Sequence, residues 1–227
     1  MAIEYRKTLE TKYKADVIVA GGGPAGVAAA VSAARCGKKV IIIESSGTFG
    51  GASMLCQVPE LMNFDDGEKF ICHGIGREIF DALGLVNDNT RKWHLVKPES
   101  LKRAYDKLVL DAGVMTLFYT KVVDAVCDNR KVLQLVLSGA EGVYAVEAEF
   151  YIDCTGSGAL CVMAGAEYEY GDANGKTMGA TLCSLWGGID FERKDVDGNN
   201  YHKAYADGVF TQYDPVLPGI KPNFPEI

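Results

Sequence analysis

Residues 16–44 read DVIVAGGGPAGVAAAVSAARCGKKVIIIE, and the architecture of the chain follows from them. Asp16 to Ala20 is a short β-branched apolar run, the pattern of a strand buried on both faces of a parallel sheet. Three consecutive glycines end it. From Pro24 the run PAGVAAAVSAARC is rich in helix formers, with proline in its first turn and Gly37 just past its end. Lys39 to Glu44 is a second buried strand, so the stretch predicts β-α-β, the size of one crossover unit.

Gly21, Gly23 and Gly26 give a GxGxxG spacing between that strand and helix. The first glycine makes a tight turn, the second lets a pyrophosphate approach the backbone, and the third lets helix and strand pack closely. The helix N-terminus then faces the phosphates with free N–H groups and a positive dipole end. On its own such a turn is also compatible with no ligand. Glu44 weights the reading, because an acidic residue ending the second strand accepts hydrogen bonds from adenosine ribose hydroxyls and repels a 2′-phosphate. FAD or NAD is therefore expected over NADP.

Working forward, a helix is expected around Gly74 to Leu83 and another over Pro98 to Ala112, stopped by Gly113. A third strand, Val114 to Tyr119, follows. Val122 to Cys127, Val132 to Leu137 and Val143 to Ala148 read as an antiparallel meander, and Phe150 to Cys154 as a further, separate buried strand. The predicted class is α/β: a Rossmann-like domain with a parallel sheet and a β-meander crossover. Composition shifts after Gly187 towards Gly, Pro and polar residues. The domain is therefore placed at 1–187, with 188–227 as the start of a second, substrate or cap domain.

A net charge of −7 and the lack of a long basic run argue against nucleic acid or an anionic membrane surface, leaving a small molecule as the expected partner. Val17 to Ala34 carries no charge and approaches the ~18 residues of a bilayer helix, but GGGPAG interrupts it. Seven cysteines with no CxxC pair suit a reducing compartment, and the charged N-terminus lacks a secretory core, so a cytoplasmic location is expected. No metal site is readable.

Two stretches, DVIVAGGGPAGVAAAVSAARCGKKVIIIESSGTFGGAS from Asp16 and VVDAVCDNRKVLQLVLSGAEGVYAVEAEFYIDCTGSGALCVMAGAEYEYG from Val122, together resemble the bacterial FAD-dependent oxidoreductase family, a branch of the glutathione-reductase-type flavoproteins. The resemblance covers roughly Tyr5 to Asp190. It implies an FAD-dependent enzyme passing a hydride or electron pair between flavin and a small molecule. It also implies that Gly21, Gly23, Pro24, Ala25 and Gly26 hold the pyrophosphate, that Glu44 with Ser45 holds the ribose, and that Gly50, Gly51, Ala52 and Ser53 serve the phosphate and ribityl side. Val122 would meet the adenine through its backbone, and Thr155, Gly156 and Gly158 would close over the pyrophosphate. The family's usual Ala-Thr-Gly-Asp-Gly run is here Cys154-Thr155-Gly156-Ser157-Gly158, which puts a side-chain contact at Ser157 in doubt.

Only Cys56 lies just after the Gly-Gly turn, so a dithiol mechanism is disfavoured, and Cys56 reads as a small buried hydrophobe, with a place facing the flavin as the alternative. His73, His94 and His202 sit at no catalytic or metal spacing; His73 and Arg77 are weak candidates for substrate contact. Trp186, Tyr168 and Tyr170 read as core or interface packing. Two other functions remain open: an NAD-binding enzyme of the thiazole-synthase kind, and a truncated flavoprotein homologue without catalysis. The resemblance leads one to expect a longer protein whose remaining part returns to cover the flavin.

Overall fold

In the computed structural model, residues 3–4, 6–58, 60–62, 64–66, 68–86, 93–129, 131–180, 183 and 206–208 are described. By internal contacts the chain divides into Met1–Cys183 and Ser184–Ile227, and the fold below is that of the first unit. The expected second domain falls almost wholly outside the described residues, as do Trp186 and His202.

β1 (Thr11–Ala20) leads into α1 (Pro24–Arg35), and β2 (Val40–Ile43) returns parallel to β1. α1 stops where predicted: Gly37, at φ +78, takes the left-handed conformation that ends a helix. α2 (Ala52–Leu55) and β3 (Glu60–Met62) precede α3 (Ile75–Ala82) and β4 (Trp93–Leu95), with β3 and β4 forming a small antiparallel pair. α4 (Pro98–Asp111) and β5 (Met115–Leu117) follow, then β6 (Lys121–Asp128), β7 (Lys131–Gly139), β8 (Gly142–Asp153) and α5 (Ala159–Met163).

Six strands form one sheet in the order β5-β2-β1-β8-β7-β6, parallel from β5 to β8 and antiparallel through the meander. This is the Rossmann-like α/β class with a meander crossover. One expectation is corrected. The third meander strand and the separate strand Phe150–Cys154 are a single strand, β8, whose first half pairs with β7 while the strand runs parallel to β1 from Ala145 to Asp153. Glu149 between the two apolar runs suggested a break; it and Phe150 are instead exposed positions within continuous ladder pairing.

The apolar run of β1 is buried on both faces, as its composition demands. Val17 and Val19 join Val27, Val31, Ile42, Leu101 and Tyr105 under the α1 and α4 layer, while Ile18 and Ala20 join Ile41, Leu135, Leu137, Val146 and Leu160 on the other side. Each buried Val, Leu or Ile is worth about 1.5–3 kcal/mol. Two-sided packing thereby fixes the sheet edge on which the site is built.

Candidate functional site

Register brings three loops together. Ala20 ends β1 paired with Ile43 on one side and Asp153 on the other, so Gly21, Glu44 and Cys154 leave the sheet at the same level. The Gly21 N–H donates to the Ile43 carbonyl at 2.8 Å, and the Cys154 N–H to the Ala20 carbonyl at 2.8 Å. All three chains thus turn outward at the carboxyl edge, where open α/β sheets bind ligands.

The glycine turn is shaped by close approaches. Gly21 has φ +102, and a Cβ there would overlap the Cys154 carbonyl; at Gly26 a Cβ would overlap the Gly21 carbonyl. Gly26 therefore packs helix on strand and does not line the open space. Gly23 differs: a Cβ built on it meets nothing nearer than the Gly51 Cα at 3.9 Å. Its missing side chain leaves room in front of the α1 N-terminus, which carries no side-chain cap and keeps its positive dipole end free for an anion.

Glu44 is only 5% exposed. Its Oε2 accepts the Gly22 N–H at 2.7 Å, and its Oε1 accepts the Ser46 N–H at 2.6 Å and the Ser45 hydroxyl at 3.3 Å. It is not the solvated strand-end carboxylate that such a position favours in isolation. Gly22, an unassigned position of the glycine motif, is the residue the sequence did not single out. A Cβ on Gly22 would sit 2.9 Å from Oε2 and 2.8 Å from the Phe49 ring.

Across the turn, Gly50 and Gly51 have φ of +117 and +51, and the Gly50 N–H donates to the Gly22 carbonyl at 2.9 Å. Gly51 and Ala52 line the open space; Gly50 and Ser53 are buried behind them. On the third side the Asp153 carboxylate accepts the Thr155 N–H at 2.9 Å, the Thr155 hydroxyl at 2.7 Å and the Cys161 N–H at 2.8 Å. Burial pushes the Asp153 carboxyl up, but these donors outweigh it and hold the group below its ordinary range. The Thr155 hydroxyl in turn accepts the Ala159 N–H at 3.0 Å, tying the loop to α5.

Between these walls lies a cleft of about 920 Å³, towards the upper end of ordinary ligand sites at roughly 300–1,000 Å³. Of the residues expected from sequence, Gly21, Gly23, Pro24, Ala25, Glu44, Ser45, Gly51, Ala52, Val122, Thr155, Gly156 and Gly158 line it, and Gly26, Gly50 and Ser53 do not. Sequence reasoning missed the lining roles of Thr120, Lys121, Asp153 and Cys161, of which only Asp153 had a signal: it opens the Asp153-Cys154-Thr155-Gly156 run at the end of a strand, level with Ile43.

Cys56 is exposed and lines the cleft, which corrects its reading as a buried hydrophobe: α2 ends one residue before it, so no element covers it. Cys154 and Cys161 line the same space, and burial pushes both thiols up, with the Asp153 charge adding to the effect. Tyr168 and Tyr170 are exposed, not packed in the core, because their segment forms no helix or strand. His94 is buried against Phe64 and Phe80, away from the cleft lining, and His73 is exposed. Arg77 lies over the Phe70 ring and pairs with Asp81 at 2.8 Å. Among the described residues no group of His, Cys, Asp or Glu is arranged to hold a metal, and no helix is long and apolar enough to cross a membrane.

A parallel sheet whose first β-α turn is a glycine cradle, closed by a buried acid at the end of the second strand, defines a dinucleotide-binding fold. The sequence matches the FAD dependent oxidoreductase family over residues 16–221, and the chain belongs to that family. FAD is accordingly its cofactor, and the cradle fits it: the uncapped helix end, the space in front of Gly23 and the carboxylate beside it suit diphosphate and ribose. The chain is 27% identical over 164 residues to a thiamine thiazole synthase of Pyrococcus horikoshii, covering 68% of this chain and 62% of that protein. It is 26% identical over 194 residues to a thiamine thiazole synthase of Aeropyrum pernix, covering 80% and 67%. Among solved structures, Thermovibrio ammonificans THI4 superposes with a TM-score of 0.51 at 20% identity, covering 66% of this chain and 61% of that one, a likeness of fold. The chain thus spans about three fifths of the length of the Pyrococcus relative it matches.

Proposed function

We propose that the chain binds FAD extended along the cleft and serves an oxidoreductase that passes a hydride or electron pair to or from a small molecule. The observation that carries this reading is the side-chain-free floor at Gly23 beside the uncapped α1 N-terminus, with Glu44 at one end. Bound FAD supplies the two-electron chemistry. The chain's own residues bind and orient it. The α1 N-terminus and the Gly51–Ala52 segment face the diphosphate, Thr155, Gly156 and Gly158 form the opposite wall, and the Val122 backbone borders the adenine. Glu44 takes a ribose hydroxyl, since a carboxylate offers roughly four acceptor positions and three are filled internally. The meander crossover supports placing the chain in the glutathione-reductase-type branch. Seven free cysteines support a cytoplasmic setting, and the net charge of −7 supports a small molecule over nucleic acid as partner.

Protein purified without added cofactor should carry a visible flavin absorption band and release FAD on denaturation. Where it is purified empty, FAD at a hundred times its dissociation constant should stabilise it by ~2.7 kcal/mol. No retained flavin and no FAD-induced rise in melting temperature would sink the reading. A second reading, an enzyme of the thiazole-synthase kind that uses the same cradle, is favoured by the thiamine thiazole synthase relatives. Formation of a thiazole product by the purified protein would decide for it.

A further inference from the structure

We infer that Tyr119 is a positioning residue for the Glu44 carboxylate, acting through the loop of residues 44–49 and not by touching the nucleotide. The inference rests on Glu44 taking the adenosine ribose. Tyr119 has φ +50, one of three non-glycine residues with positive φ among those described. That conformation favours Gly or Asn and is costly for a bulky side chain. Nor does burial hold the residue there, because it is 72% exposed. What holds it is the loop beneath. The hydroxyl end of the Tyr119 ring lies against Gly47, where a Cβ would overlap the hydroxyl oxygen.

The backbone ties the same two segments together. The Glu44 N–H donates to the Leu117 carbonyl at 2.9 Å, the Thr120 N–H to the Glu44 carbonyl at 3.0 Å, and the Tyr119 N–H to the Ser46 carbonyl at 3.0 Å. Below them the Phe49 and Phe118 rings meet with centroids 4.8 Å apart. Ser46 is the consequential partner, since its own N–H fixes Glu44 Oε1 at 2.6 Å. Tyr119 therefore clamps, by its backbone and its ring, the residue whose amide aims one oxygen of the carboxylate. With Gly22 fixing the other oxygen, the carboxylate is held in one orientation at the cleft wall.

The test is an FAD titration of the full chain and four variants, read by flavin fluorescence, with the melting temperature of each apo protein recorded alongside. Tyr119→Asn keeps the left-handed turn and deletes the ring; it should weaken FAD binding roughly tenfold, the scale of one hydrogen bond to a charged group. Tyr119→Phe keeps the ring on Gly47 and should bind as the parent does. Gly47→Ala displaces the ring and should weaken binding to a similar extent, yet add nothing in a Tyr119→Asn background. Added to Glu44→Gln, Tyr119→Asn should cause no further loss. Parent-like binding by Tyr119→Asn, or the same loss with and without the Glu44 carboxylate, would overturn the inference, whatever the apo melting temperatures. A Glu44→Gln protein that binds FAD as tightly as the parent removes instead the ribose reading on which it stands.

Discussion

The Gly22 N–H and the Glu44 carboxylate meet at 2.7 Å in a buried position, joining the glycine turn to the end of β2. One contact thus couples the two halves of the cradle, the part that faces the diphosphate and the part that faces the ribose. Because Glu44 Oε1 is held by Ser46 as well, the carboxylate is structural before any ligand arrives.

Glu44→Gln tests that double role. The amide keeps one acceptor oxygen and turns an NH2 group towards either the Gly22 or the Ser46 N–H, leaving one buried donor unpaired. The apo protein should lose ~1–3 kcal/mol in a urea titration, the range for an orphaned buried donor. FAD affinity should fall as well. Unchanged apo stability would mean that the loop relaxes and the buried bonds carry no net weight.

The glycines of the motif separate binding from folding. Gly26→Ala puts a methyl group onto the Gly21 carbonyl, against backbone that cannot yield, and should cost ~1–3 kcal/mol or more of apo stability. Gly23→Ala meets no protein atom nearer than 3.9 Å and has an ordinary φ of −68, so apo stability should stay within ~0.5 kcal/mol. Its methyl group instead fills the space in front of the helix end. Loss of FAD binding at Gly23 with an unchanged denaturation midpoint is the expected result; equal effects of the two variants on both measurements would refute the division.

This division shows what the sequence could convey. Strand-turn-helix, the glycine spacing and Glu44 were legible because each follows from local steric demands within thirty residues. β8 was misread as two strands because Glu149 looks like a break when the only clue is alternation; the partners that carry the strand past it lie on β1, far away in sequence. Lys121 and Thr120 carried no local signal, since Lys121 is placed by the register of the meander and Thr120 by its N–H bond to the Glu44 carbonyl, far away in sequence. Cys56 was misplaced for a related reason: burial depends on whether a later element packs over it, which spacing does not record.

Asp153 gives the site a pH dependence whose sign is fixed. Its folded carboxyl is held below the ordinary range by the Thr155 and Cys161 donors, so the unfolded chain binds the proton more readily. The stabilisation is fully present above the ordinary carboxylate value of about 4 and is lost as pH falls through the depressed folded value. Asp153→Asn should remove that acid limb while leaving most of the loop geometry. The comparison is between parent and variant denaturation midpoints at ~pH 6 and ~pH 3; an identical drop in both would show that the loop is not held by this charge.

Thiol labelling maps where the nucleotide lies. Cys56 and Cys161 are exposed on the cleft wall, while Cys36 and Cys127 are exposed elsewhere. In the apo protein Cys36, Cys56 and Cys127 should react readily with iodoacetamide, while Cys161 and Cys154, whose thiols are both pushed up, should react more slowly because alkylation needs the thiolate, half-buried Cys154 the slowest. Saturating FAD should slow the cleft thiols and leave Cys36 and Cys127 unchanged, read by peptide mass spectrometry over a time course. Protection of Cys161 and Cys154 without Cys56 would place the ligand along the Thr155 wall and short of α2. Protection spread evenly over all sites would indicate a general tightening of the fold, and equal rates with and without FAD would contradict occupancy of this cleft.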